Sequence, residues 1–304
     1  MLTLPSLAPS LGDRLTRDVP LARFTAARLG GPADWLYIAR TDPEELIGVV
    51  RAAWADGLPV RVIGGGANIL VSDSGFRGLI VVNKIARIES AGENLLHVSA
   101  GTPLTHLARE CAVRGLRRFE WAVAVPGTVG GAVINNAGAH GGAMTDTVVE
   151  ATVVEPDAER VWTHAELAYD YRHSALKARG DRRYLVTGAL MRFVADDSAA
   201  INARMEEYNA YRKRTQPPGA SLGSVFKNPP GDYAGRLIEA AGLKGHRIGS
   251  AQVSLVHANF FLNEGGAANA SDYYALVRHV QQTVAARSGV LLEPEIEFIG
   301  AFSP

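Results

Sequence analysis

The chain of 304 residues has a single cysteine, Cys111, which excludes an intramolecular disulfide framework and fits a reducing compartment. It has no surplus of charge: 31 basic residues balance 31 acidic ones. No basic excess therefore draws it to nucleic acid or to an anionic membrane, and any anion must be held locally. No apolar run approaches the length of a membrane-spanning helix, and the first twenty residues lack a compact apolar stretch behind a basic start. The expectation is a cytoplasmic monomer with no nucleic-acid and no membrane partner. The eight histidines form no H-x3-H or H-E-x-x-H spacing, so no metal site is expected. Neither G-x-G-x-x-G nor G-x-x-x-x-G-K-[ST] occurs, which removes the Rossmann and Walker phosphate loops.

Glycine is abundant instead, 32 residues, and clustered. One cluster is "GGGAN" (64–68) and the other "PGTVGGAVINNAG" (126–138). A flexible linker has no use for the Val129, Val133 and Ile134 that punctuate the second. Bare backbone lets successive N–H groups form an anion-binding concavity and lets a ligand approach closely. The candidates are Gly64, Gly65, Gly66, Ala67 and Asn68 in the first loop, and Pro126, Gly127, Thr128, Gly130, Gly131, Ala132, Asn135, Asn136 and Gly138 in the second. Tight turns in a β-rich domain explain either loop alone. Two such loops, with Asn68, Thr128, Asn135 and Asn136 as side-chain donors, point to a diphosphate, and a dinucleotide held without a Rossmann fingerprint suggests FAD.

The length favours about two domains. Residues 1–20, with Pro5, Pro9 and Pro20, read as a weakly structured lead-in. "TDPEELIGVVRAAWADG" is a helix capped at Thr41 or Asp42 and stopped by Gly57. Strands are expected at 59–63, 78–82 and 95–100, a second helix over 102–115, and β-rich runs in "VVEATVVE" and "RYLVTGALMRFV". Near 195 the texture changes to a helix, "DDSAAINARMEEYNAYRKRT", then a loop, "QPPGASLGSVFKNPPGD". A helix at "YAGRLIEAAGLKG", a strand at "SLVHANFFLN", a long capped helix at "SDYYALVRHVQQTVAARSG" and a closing strand at "LLEPEIEFIG" follow. The expected division is 21–195, with subdomains of about 21–84 and 85–195, and 196–304, both α+β.

In order, "TAARLGGPA" (25–33), "IGGGANIL" (63–70), "GLRRFEWAVAVPGTVGGAVINNAGAHGG" (115–142), "YRHS" (171–174), "GSVFKNP" (223–229) and "LLEPEIEFIG" (291–300) closely resemble the UDP-N-acetylenolpyruvoylglucosamine reductase family over roughly residues 21–301. The resemblance implies a vanillyl-alcohol-oxidase-type FAD-binding domain followed by a smaller substrate-binding domain whose C-terminal strand returns to the active site. It implies FAD as cofactor, NADPH as co-substrate, and reduction of UDP-N-acetylglucosamine enolpyruvate to UDP-N-acetylmuramate for peptidoglycan. Only 51 residues (173–223) lie between Arg172 and Ser224, as in the shorter branch of the family. That branch lacks the inserted tyrosine that covers the uridine; Tyr208 and Tyr211 are candidates for its place.

By the same resemblance, flavin N5 delivers hydride to C3 of the enolpyruvyl group and a proton reaches C2. Arg172 and Glu295 face the substrate carboxylate, and Ser224 gives the proton. Glu295 helps there only when protonated or hydrogen-bonded, since a bare carboxylate repels another. Tyr171, Arg214, Lys227, Asn228 and His257 are the substrate-binding candidates. Taken without the family, Ser224 reads as a turn residue, "RKR" (212–214) as an exposed helix end and His257 as a structural histidine. Glu293, Glu295 and Glu297 alternate, so in a strand all three share a face and periodicity does not choose among them. Two other readings stay open: a different FAD oxidase or dehydrogenase on the same scaffold, and a non-catalytic nucleotide-binding relative. The presence of Arg172, Ser224 and Glu295 together argues against the second.

Overall fold

The computed structural model describes residues 11–302. Its contacts divide the chain into two units, each built of helices and strands, so the α+β expectation holds. The first unit comprises residues up to Thr16, Trp35–Gly65 and Gly78–Arg212; the second comprises Arg17–Asp34, Gly66–Arg77 and Lys213–Pro304. The sequence-based boundary near 195 runs elsewhere, because the helix Ser198–Thr215 is bound into the first unit. Its Ile201 and Met205 enter that unit's core, and its Arg204 pairs with Glu120 and Asp196. Residues 1–10 of the expected lead-in lie outside the described residues. The rest of it is ordered, since Leu15–Pro20 is a strand beside Pro32–Ala39.

The strands Leu15–Pro20, Pro32–Ala39, Phe76–Asn83 and Val60–Ile63 form a sheet in that order. The helix Pro43–Ala55 packs its Leu46, Val50, Ala53 and Trp54 against Tyr37, Leu79 and Val81. Asp42 caps it by accepting from the amides of Glu44 and Glu45, which satisfies two of the unpaired first-turn donors. Five antiparallel strands make the second sheet, in the order Glu159–Thr163, Val148–Val154, Leu185–Arg192, Leu95–Ser99 and Ile88–Gly92. The helix Leu104–Val113 buries Leu107, Ala108 and Cys111 in the adjoining core, as expected for Cys111, whose thiol is pushed up by that burial.

The glycine segment at 126–138 is more regular than its composition suggests. Val129–Asn135 forms a short helix in which Val129 and Val133, one turn apart, are fully buried. Asn136 ends it in the left-handed conformation (φ 43°) that asparagine tolerates.

The second unit contains an antiparallel sheet in the order Ser221–Ser224, Phe260–Asn263, Ala251–Val253 and Arg247–Ile248. The helix Ala270–Ser288 seals it, capped by Asn269 and stopped by Gly289, with Tyr273, Leu276 and Val280 packed beside Phe226, Ile238 and Phe261. Three expectations need correction here. The 216–232 segment is not all loop, because Ser221–Ser224 is a strand. The strand expected in "SLVHANFFLN" is confined to Phe260–Asn263, since Ser254 turns the chain by accepting from the amides of Val256 and His257. The closing strand is only Glu297–Ile299, parallel to Ile69–Val71. Pro294, which has no N–H to give, precedes it in an isolated bridge to Phe226, so Glu293, Glu295 and Glu297 do not share one strand face.

Candidate active site

The two glycine loops touch within the first unit. A Cβ added at Gly64 would lie 2.0 Å from Thr128 Oγ1, and one at Gly65 would lie 3.0 Å from Gly127 Cα, so both positions require bare backbone. Val129 and Gly130 spend their amides on the carbonyls of Thr102 and Ala100. Among the described residues, the amides of Gly65, Gly127, Thr128 and Gly131 donate to nothing. Gly131 is exposed, and a Cβ there would meet nothing within 4 Å. Open amides beside close-packed glycines fit the diphosphate of a dinucleotide. Asn135 and Asn136 use their side chains otherwise. Asn135 Nδ2 donates to Gly131 O at 2.9 Å; Asn136 Nδ2 donates to Asp170 O at 2.9 Å while its Oδ1 accepts from the Thr145 amide.

That contact leads to Arg172. Residues 170–173 form a tight turn in which Asp170 and His173 exchange backbone hydrogen bonds. Arg172 occupies it at φ 53°, a left-handed conformation that side chains rarely adopt and that functional sites often retain. Three contacts fasten the turn to the second glycine segment: Asn136 to Asp170, Ser174 Oγ to Ile134 O at 2.6 Å, and Arg172 Nη2 to Gly138 O at 2.6 Å. The Arg172 guanidinium also lies 5.1 Å from the ring of the half-exposed Tyr171.

The remaining candidates cluster in the second unit. Ser224 ends its strand after Gly223 (φ 73°) and pairs with Phe260. The segment after it runs beside the C-terminal segment: the Glu295 amide donates to Val225 O at 2.8 Å and the Lys227 amide to Glu293 O at 2.9 Å. Asn68, the last residue of the first glycine loop, joins them, with Nδ2 donating to Glu295 O and its carbonyl accepting from the Glu297 amide. The fold thus brings Ser224, Glu295 and Asn68 together from three distant stretches of sequence. Lys227 pairs with Glu293 at 2.5 Å, and Asn228 Oδ1 accepts from the Ala234 amide at the start of the helix Ala234–Ala240. His257 is partly buried; burial pushes its pKa down, and its Nδ1 accepts from the Asn259 amide. Arg214 is exposed near the end of the helix Ser198–Thr215.

Sequence reasoning passed over His140. It lines a cleft of about 430 Å³ in the first unit with Trp121, Arg118 and Tyr208. Its ring stacks on Tyr208 at 4.3 Å and meets Tyr211 edge-on at 5.5 Å, so both tyrosines singled out for the uridine converge on one imidazole. The glycines on either side drew attention to the segment, but nothing local marks its histidine as an aromatic partner of residues almost seventy positions later.

Residues 36–164 match the FAD binding domain family, and residues 214–299 match the C-terminal domain of UDP-N-acetylenolpyruvoylglucosamine reductase. A UDP-N-acetylenolpyruvoylglucosamine reductase from Synechococcus sp. is 43% identical over 95% of this chain and 95% of its own. Another from Symbiobacterium thermophilum is 45% identical over 94% and 92%. The chain belongs to the UDP-N-acetylenolpyruvoylglucosamine reductase family. The crystal structure of the Thermus caldophilus reductase, 37% identical, superposes with a TM-score of 0.81 over 94% of this chain and 99% of that one. As a member of the family, the chain is an FAD-dependent oxidoreductase. The FAD-binding match spans both glycine loops, and the C-terminal match holds Ser224, Lys227, Asn228, His257 and Glu295. Among the described residues no cluster of three or more His, Cys, Asp or Glu is arranged to hold a metal ion, and no helix is long and apolar enough to cross a membrane.

Proposed function

We infer that the chain reduces UDP-N-acetylglucosamine enolpyruvate to UDP-N-acetylmuramate with NADPH. The enolpyruvyl CH2=C(OR)–COO⁻ gains a hydride at C3 and a proton at C2, giving CH3–CH(OR)–COO⁻, while NADPH becomes NADP⁺. FAD, when bound, supplies the carrier that takes the hydride from one partner and gives it to the other.

The chain's own residues bind, orient and protonate. Arg172, set on a turn fastened to the glycine segment, holds the substrate carboxylate as charge builds on it. Ser224 Oγ gives its proton to C2. A serine hydroxyl is a weak acid, adequate only because the carbon it meets is strongly basic and is held within hydrogen-bond reach. Glu295, whose backbone is bonded beside Ser224, presents its carboxyl to the same group. Tyr171 and His257 flank the substrate, and Arg214, Lys227 and Asn228 serve its diphosphate. Gly65, Gly127, Thr128 and Gly131 give their amides to the FAD diphosphate; Gly64, Gly66, Ala67, Pro126, Gly130, Ala132 and Gly138 let it approach. The pairing of the Ser224 segment with the Glu295 segment is the observation that most supports this reading.

Rapid-mixing absorbance tests it. Ser224→Ala leaves flavin bleaching by NADPH at its normal rate and slows recovery of flavin colour with the enolpyruvyl sugar by about 10²–10³. Equal slowing of both half-reactions would remove Ser224 from the proton-donor role. A wild-type flavin that recovers with oxygen and not with the enolpyruvyl sugar would overturn the reductase reading.

A further inference from the structure

Ser224 stands at an irregular end of its strand. Ser221 faces Leu262 and Ser224 faces Phe260, so residues 221–224 oppose the shorter run 260–262 and the ladder between them is shifted. Such bulges bend a strand and re-aim a side chain, and they recur beside active sites. Gly223 supplies the backbone at φ 73°, and a Cβ there would meet nothing within 4 Å, so conformation rather than space calls for glycine. Because a bulge interrupts the ladder, the segment that leaves it needs other partners to keep one conformation.

A side chain provides them. Asn259 is 3% exposed, and its carboxamide meets the main chain of Phe226 twice: Oδ1 accepts from the Phe226 amide at 3.0 Å and Nδ2 donates to Phe226 O at 2.8 Å. Its backbone carbonyl accepts from the Val225 amide at 2.9 Å. One asparagine therefore fixes the two residues that follow Ser224, whose own side chains are buried in the core of the second unit. Val225 O accepts in turn from the Glu295 amide, so the same dipeptide joins Asn259 to Glu295.

Asn259 is itself held in place. Its amide donates to His257 Nδ1 at 3.2 Å, and the His257 ring meets Phe260 at 4.9 Å. The helix Ala234–Ala240 presents bare backbone to this pair: a Cβ on Gly235 would lie 3.2 Å from His257 Cε1 and 3.8 Å from Asn259 Cβ. A buried carboxamide so constrained, bonded to the backbone next to the proton-donor candidate, has the form of a support that locks a functional side chain.

We propose that Asn259 is the positioning residue of the proton donor: by clasping Val225 and Phe226 it sets the backbone from which Ser224 Oγ reaches the substrate, with Glu295 bonded to that same backbone. The proposal rests on the reading of Ser224 given above. Asn259 acts through Ser224 and not on the substrate.

The test uses the holoenzyme and rapid-mixing absorbance. Asn259→Leu keeps the size of the side chain and removes both carboxamide contacts; Asn259→Ala leaves room for water. Each is made alone and together with Ser224→Ala. Alone, each should leave flavin bleaching by NADPH near the wild-type rate and slow flavin recovery with the enolpyruvyl sugar by roughly 10- to 100-fold, the scale of misplacing a reacting group by about 1 Å. The fall should lie in kcat rather than KM, and the solvent deuterium isotope effect on recovery should grow as proton transfer slows. With Ser224→Ala already present, the same changes should slow recovery by less than about threefold, since no donor is left to misplace.

Equal slowing in both backgrounds, equal slowing of both half-reactions, or recovery at the wild-type rate in the single variants overturns the proposal. Hydrogen exchange of the wild-type holoenzyme decides even if neither variant folds: the Val225 and Phe226 amides should be among the slow exchangers, and free exchange at both would sink the clasp. The reading of Ser224 fails by a separate sign, which is Ser224→Ala alone recovering with the enolpyruvyl sugar at the wild-type rate.

Discussion

The carboxamide of Asn136 is 5% exposed, and it donates to Asp170 O while accepting from the Thr145 amide. Its residue type and its place in the glycine segment suggest a cofactor donor, but its geometry makes it the tie that holds the Arg172 turn. Asn136→Leu would take one donor from the Asp170 carbonyl, which the His173 amide still reaches, and would leave the part-buried Thr145 amide without its acceptor, at about 1–3 kcal/mol for that amide. Asn136→Gly keeps the left-handed backbone (φ 43°) and lets water reach both groups, so it costs less. Thermal unfolding should rank wild type above Asn136→Gly above Asn136→Leu. Because the Gly variant loosens Arg172 and leaves the open amides of Gly127, Thr128 and Gly131 in place, its KM for the enolpyruvyl sugar should rise several-fold while FAD affinity holds. A matching fall in FAD affinity would return Asn136 to the cofactor.

At the scale of elements, the glycine-segment helix Val129–Asn135 separates two effects that usually travel together. Gly131 lies in its first turn, exposed, with empty space where a Cβ would go. Alanine there favours the helix by about 0.5–1 kcal/mol, so Gly131→Ala should hold or raise Tm. The same methyl would stand where the diphosphate is expected, so FAD affinity should fall at least tenfold by fluorescence titration. A variant that binds FAD normally would move the diphosphate away from Gly131. Much of this element level was legible in the sequence. The helices Pro43–Ala55 and Ala270–Ser288 announce themselves through caps, periodicity and glycine stops, all local signals. What was not legible depends on distant partners. Asp73 receives the amides of Ala270 and Ser271, 197 and 198 residues away, and the short Glu297–Ile299 strand exists because Ile69–Val71 lies alongside it. The glycine loops were readable as loops; that Gly64 presses on Thr128 was not, since nothing local encodes a contact across 64 residues. Ser224 and Glu295 were likewise reached by family resemblance, and only the fold makes them neighbours through the Glu295–Val225 hydrogen bond.

For the whole molecule, the interleaving of the chain, with Arg17–Asp34 and Gly66–Arg77 assigned to the second unit, lies beyond any reading that cuts the sequence once. A property that sums over both units is easier to foresee: how the folded state answers acid. Burial lowers the pKa of His140, His257 and His279, helped at His140 by the Arg212 charge, at His257 by Lys244 and at His279 by the His246 ring stacked 4.4 Å away. A histidine whose folded pKa lies below its unfolded value of about 6.5 binds protons more readily when unfolded. Its contribution to stability is complete above that value and is lost as pH falls through it towards the folded pKa. Tm should therefore drop between pH 7.5 and pH 5, even though the 31 acidic and 31 basic residues balance. His257 offers the clearest single test, because protonating its Nδ1 also removes the acceptor of the Asn259 amide. Asn at that position can still accept through its carbonyl and does not titrate. His257→Asn should lose less Tm than wild type over the same pH interval, whatever its Tm at pH 7.5. Parallel losses in the two proteins would show that His257 is not among the groups that couple folding to protons.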